Sequence, residues 1–151
     1  MNVLMVCLGN ICRSTMAQGI LEQLVKENGL NWTVDSCGTG GYHNGEPPHP
    51  NSTKVAKEYG IDISQQVSRQ ITREDLESFD LILAMDTSNY RDVKLMMTDE
   101  QKSKLQMILN YAYPGENRAV PDPWYNHSLY EEVFLMLREA CNAIVKRYSK
   151  A

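Results

Sequence analysis

The stretch Val3-Leu4-Met5-Val6-Cys7-Leu8-Gly9-Asn10-Ile11-Cys12-Arg13-Ser14 runs from an apolar segment into a short loop and out into a helical repeat. Val3 to Val6 has the unbroken apolarity of a strand buried on both faces, and Ser14 to Asn28 repeats at helical spacing through Met16, Ala17, Ile20, Leu21, Leu24 and Val25. Residues 7 to 13 therefore form a strand-to-helix loop. In such a loop the backbone N–H groups turn inward and the helix adds the positive end of its dipole, so the concavity favours an oxyanion. Cys7 lies at the strand end in that field, which favours its thiolate. Arg13 offers a planar fork for two oxygens, and the Ser14 hydroxyl is placed to donate to the sulfur. Gly9 is expected to supply positive φ, and Asn10 is one of the few other residues that adopts left-handed geometry cheaply. Neither G-x-G-x-x-G nor G-K-[ST] occurs here, which sets aside dinucleotide and Walker-type loops.

Working outward, the chain alternates strand and helix signals. Strand two is expected at Trp32–Ser36, followed by a long loop rich in Gly, Pro and His from Gly38 to Pro50 and a helix from Ser52 to Tyr59. Strand three is expected at Asp80–Ala84 with a helix from Thr87 toward Leu95, strand four at Lys104–Leu109, and a last helix carrying Val133, Leu137, Ala140, Cys141, Ile144 and Tyr148 on one stripe. The order β-α-β-α-β-α-β-α implies one three-layer α/β domain over residues 1–151, a four-stranded parallel sheet with helices on both faces and its ligand at the carboxyl ends of the strands.

A second constellation is Pro121-Asp122-Pro123-Trp124-Tyr125. Asp122, held extended before proline, is a candidate general acid beside an aromatic pair. Standing alone, it would read first as a turn or cap aspartate, and the cysteine loop in the same chain is what favours the acid.

The segment V-C-L-G-N-I-C-R-S, together with Asp122-Pro123-Trp124-Tyr125, resembles the low-molecular-weight protein tyrosine phosphatases. Asp35-Ser36-Cys37-Gly38-Thr39, Gly60-Ile61-Asp62-Ile63-Ser64, Ser68-Arg69-Gln70-Ile71 and Met85-Asp86-Thr87-Ser88-Asn89 extend the resemblance across the chain. It implies a cysteine-dependent phosphomonoesterase acting on phosphotyrosine. Cys7 would be the nucleophile, Asp122 the acid and then the base, and residues Leu8 to Ser14, Arg13 foremost, the phosphate cradle. Asn10 would be held by Ser36, Tyr42, Trp124 and Tyr125 would receive the aromatic ring, and Cys12 would trap an oxidised Cys7. Thr15, where the family commonly has proline, and Trp124, where it often has tyrosine, are departures expected at the outer rim.

Three rivals keep the loop but differ in use. Arsenate reductases pass a disulfide along further cysteines, and none lies between Cys37 and Cys141. Arginine phosphatases typically carry threonine at the position of Ile11 and lack the Trp124-Tyr125 wall. A phosphotyrosine-binding module without turnover would be expected to lose the cysteine or the acid, and both are present.

Composition narrows the remaining classes. A net charge of −4 argues against nucleic acid or anionic membrane as main partner. Four cysteines without C-x-x-C pairing read as reduced cytosolic thiols, and no leader or membrane-spanning run is visible, so the expected place is the cytoplasm. His43, His49 and His127 have no ligand-like spacing, and the loop supplies its own positive charge, so no metal or other cofactor is expected. The expected partner is a tyrosine-phosphorylated protein, a tyrosine kinase among the candidates, and a monomer is favoured while the oligomeric state stays open.

Overall fold

The computed structural model describes residues 1–149. Four parallel strands, β1 (Asn2–Cys7), β2 (Thr33–Gly38), β3 (Leu81–Ala84) and β4 (Leu105–Met107), form one sheet in the order β2-β1-β3-β4. β1 is central because every residue from Val3 to Cys7 is buried, so it loses least by being covered on both faces. The period of two then divides its side chains between two cores. Val3, Met5 and Cys7 face α1 (Arg13–Glu27), α2 (Pro50–Glu58) and α5 (Leu129–Tyr148), while Leu4 and Val6 face α3 (Arg73–Ser78) and α4 (Thr87–Met96). This is the three-layer α/β architecture that the strand and helix periods imply.

Several boundaries differ from expectation for identifiable reasons. β2 continues to Gly38 because Gly38 pairs with Cys7, drawing the strand to the edge of the loop. α2 starts at Pro50, whose missing N–H costs nothing at a first helical position, and His49 caps it by accepting from the Asn51 amide. β4 is only Leu105–Met107, since Ile108–Asn110 turns into a 3-10 helix although its apolar residues prolong the strand-like run. α3 is absent from the expected order. It is a short helix set by a reciprocal cap, in which Thr72 Oγ1 accepts from the Asp75 amide and the Asp75 carboxylate accepts from the Thr72 amide.

The chain leaves β1 first toward β2 and later returns to its other side as β3, so the order reverses at β1. A crevice opens at the carboxyl end of such a strand. Cys7 is the last residue of β1.

Candidate active site

The loop between β1 and α1 wraps the Cys7 thiol. Asn10 sits at φ 56°, the left-handed conformation that asparagine tolerates, and this turns its amide onto Cys7 Sγ at 3.3 Å. Gly9 has no positive φ, contrary to expectation. Its lack of a side chain serves close approach instead, because a Cβ there would stand 2.9 Å from the His43 ring. The amides of Leu8, Gly9, Ile11 and Cys12 donate to no acceptor among the described residues, which leaves them to an anion in the loop.

Behind the loop, a chain of buried polar groups fixes its shape. Asn10 Nδ2 donates to Ser14 Oγ at 2.8 Å and to Ser36 Oγ at 2.9 Å, and Asn10 Oδ1 accepts from the Arg69 amide. Since Ser14 Oγ accepts from Asn10, its own hydrogen is free for Cys7 Sγ, 3.0 Å away. Ser36 passes its hydrogen to Gln18 Oε1 at 2.5 Å. The expected Asn10–Ser36 contact is therefore present, and Gln18 extends it. Thr15 is not at the rim: it is buried, and Oγ1 donates to the carbonyls of Ile11 and Cys12 at 3.1 and 2.8 Å.

Arg13, only 4% exposed, is aimed by Asp86 at 2.7 Å and by the Val120 carbonyl at 3.0 Å, both meeting Nη1. Burial alone would work against its charge, but Cys7, Asp86 and Asp122 outweigh it and raise its pKa further. The other terminal nitrogen, Nη2, lies 3.9 Å from Asp122 Oδ2. Asp86 belongs to a segment read only for its likeness to the family, and its hold on Arg13 had no signal in spacing.

Cys7, Leu8, Gly9, Ile11, Cys12 and Arg13 share one cleft of about 260 Å³ with Tyr42, His43, Asp122, Trp124 and Tyr125. The residues named as the candidate catalytic, phosphate-binding and ring-binding site thus converge, with Asn10, Ser14 and Ser36 behind the floor. Asp122 caps the 3-10 turn Pro123–Tyr125 by accepting from the Trp124 amide at 3.0 Å, which ties the carboxylate to the aromatic wall. Cys12 Sγ is 3.5 Å from Tyr130 Oη, and burial above all pushes its pKa up to about 11. Cys37 is buried in the opposite core, and Cys141 lies on the buried face of α5. His43 and His49, read from sequence as loop residues without ligand-like spacing, both pack on Trp124.

A thiol at the end of a central parallel strand, ringed by uncommitted amides and headed by a helix, is a nucleophile set in the floor of an oxyanion site. Residues 2–151 match the family model described as low molecular weight phosphotyrosine protein phosphatase, and the chain belongs to that family. Its likeness to single members is spread over the whole length. The human low molecular weight phosphotyrosine protein phosphatase is 40% identical over 151 residues, covering 97% of this chain and 94% of that one. YfkJ, the Bacillus subtilis low molecular weight protein-tyrosine-phosphatase, is 36% identical over 99% of this chain and 96% of its own. The YfkJ crystal structure superposes with a TM-score of 0.92 over 99% of this chain and 95% of that one. The Drosophila arginine phosphatase superposes equally well, TM-score 0.92 at 31% identity over 100% and 99% of the two chains.

Proposed function

We propose that this chain hydrolyses protein phosphotyrosine through a cysteinyl-phosphate intermediate, with residues 1–151 acting as one phosphatase domain. The observation that carries the reading is one cleft holding Cys7, Arg13 and Asp122 together with Tyr42, Trp124 and Tyr125. The thiolate of Cys7 attacks phosphorus as the bond to the tyrosine oxygen breaks, and Asp122 delivers its proton to that oxygen. Arg13 and the loop amides stabilise the equatorial oxygens, while the Ser14 hydroxyl, 3.0 Å from Sγ, favours the thiolate both as attacker and as leaving group. Water then attacks phosphorus with Asp122 as base, the S–P bond breaks, and phosphate leaves. The positive charge needed comes from Arg13, the amides and the start of α1.

The shared fold does not separate phosphotyrosine from phosphoarginine as substrate, so the choice rests on side chains. Ile11 lines the cleft with an aliphatic surface that offers a guanidinium no acceptor, whereas the three aromatic residues suit a flat phenyl ring. A tyrosine kinase must supply the substrate, a tyrosine-phosphorylated protein. No helix among the described residues is long and apolar enough to cross a membrane. We place the reaction in the cytoplasm, where the four free thiols stay reduced, and with the chain as a monomer.

The test is turnover of one peptide carrying phosphotyrosine, phosphoserine or phosphoarginine. The phosphotyrosine form is expected to lead in kcat/KM by roughly 10²-fold or more, the scale on which a shaped pocket discriminates. Cys7→Ser should abolish that turnover while still binding inorganic phosphate, because amides and Arg13 are untouched. A preference for phosphoarginine would overturn the substrate assignment, and binding without turnover by the wild-type protein would make it a binding module.

A further inference from the structure

Asp122 is nearly half exposed and Tyr125 is 91% exposed, so the acid loop is anchored by the buried Pro123 and by what the Trp124 ring, itself 40% exposed, rests on. Under Trp124 lies a histidine. The His49 ring meets the Trp124 ring edge-on, centroids 5.4 Å apart and planes 72° apart. It also stacks on Tyr130, centroids 5.2 Å apart at 24°. Tyr130 is buried in α5, and its hydroxyl reaches Cys12 Sγ. The His49 main chain is tied as firmly: its amide donates to the Ile11 carbonyl of the phosphate loop at 2.8 Å. One residue thus joins the phosphate loop, α2, α5 and the acid loop.

From these contacts we infer that His49 is a positioning residue for the general acid, setting Asp122 over Cys7 through the Trp124 ring. This rests on Asp122 being the acid. The coupling is short, because the Trp124 amide that follows its ring is the one that holds Asp122 Oδ1. His49 contributes as a neutral ring. Its Nδ1 accepts from the Asn51 amide, which an imidazolium cannot do, and burial, then the proximity of His127 and His43, lowers its pKa. It also caps α2, so a plain deletion would confuse helix stability with acid placement. Two substitutions separate them. His49→Asn keeps a good cap acceptor and removes the ring; His49→Phe keeps a stacking ring and removes the cap.

The readout is the ratio of single-turnover rates on phosphotyrosine and on p-nitrophenyl phosphate, taken within each protein so that a reduced folded fraction cancels. In His49→Asn the phosphotyrosine rate should fall about 10- to 100-fold, the scale of an ångström-level misplacement, with a smaller loss on the activated ester. Its inhibition constant for inorganic phosphate should stay unchanged. His49→Phe should keep the wild-type ratio despite a lower melting temperature. A wild-type ratio in His49→Asn, or the same altered ratio in both variants, would overturn the inference. Asp122→Asn is measured alongside: a wild-type ratio there would remove the acid assignment itself, whereas a shift in Asp122→Asn with none in His49→Asn would remove only the positioning role.

Discussion

Asp122 stands 3.9 Å from the Arg13 guanidinium, and its Oδ1 accepts from the Trp124 amide, a bond that an asparagine oxygen can also accept. Its substitution therefore tests proton delivery with little structural cost. Asp122→Asn should slow phosphotyrosine hydrolysis by roughly 10²–10⁴-fold, the usual worth of a placed acid or base. The loss in the phosphorylation step should shrink as the leaving group becomes more acidic. Single-turnover rates over a series of aryl phosphates should give the variant a steeper dependence on leaving-group pKa; parallel lines would leave Asp122 as a loop residue. Cys12 offers a second test at the same scale. Its thiol, raised to about 11 chiefly by burial, stays protonated at neutral pH, so peroxide is expected to meet Cys7 first. The resulting Cys7 sulfenate and the Cys12 thiol would then condense to a disulfide with loss of water. Dithiothreitol should restore wild-type activity, and Cys12→Ser should recover poorly after the same treatment. Equal recovery by both proteins would leave Cys12 to packing against Tyr130.

The elements that shape the site meet at Gly38, the last residue of β2. A Cβ there would stand 2.6 Å from the Leu8 carbonyl and 3.2 Å from the Asn10 amide, both backbone atoms of the phosphate loop. Neither can yield without moving the loop, and Gly38 is further pinned by pairing with Cys7 and by bonds to Arg69 and Ile71. Gly38→Ala should therefore cost about 1–3 kcal/mol in urea unfolding and weaken phosphate inhibition at the same time. Unchanged phosphate inhibition in the folded variant would show that the loop is set elsewhere. The glycine's purpose was hidden in the sequence, as was that of Gly9, because composition does not distinguish a glycine used for left-handed φ from one used for close approach. β1 and α1 were legible, since an unbroken apolar strand and a helical stripe leave little choice of pattern. α3 was not: only Asp75 and Leu76 are buried in it, too little for a period. Its signal was the capping pair, Thr72 followed three residues later by Asp75.

At the scale of the molecule, the nucleophile loop and the acid loop come from opposite ends of the chain, and their meeting depends on the sheet. β3 lies beside β1 in register, Val6 opposite Ala84, and this carries Met85 and Asp86 to the carboxyl end where Arg13 waits. The Met85 amide bonds the Val6 carbonyl, and the Met85 carbonyl accepts from Val120, so the segment leading to Asp122 is drawn to the same end. Contacts of this kind, Asp86 to Arg13 and His49 to Trp124, follow from strand order and loop packing, and no local spacing in the sequence encodes them. The chemistry was legible because it is concentrated in two short segments; the groups that aim it were not, because they arrive from elsewhere in the fold. What the whole arrangement is proposed to accomplish is transfer of a phosphoryl group from tyrosine to Cys7. The most direct measurement is mixing enzyme with a phosphotyrosine peptide, quenching in acid during turnover and mapping the phosphoryl group by peptide mass. The expected result is a phosphorylated Cys7 in the wild-type protein; with p-nitrophenyl phosphate, whose leaving group departs without an acid, Asp122→Asn should give a burst of nitrophenolate close to one equivalent, because hydrolysis of the intermediate lacks its base. A phosphoryl group on any other residue, or full turnover by Cys7→Ser, would contradict the cysteinyl-phosphate mechanism.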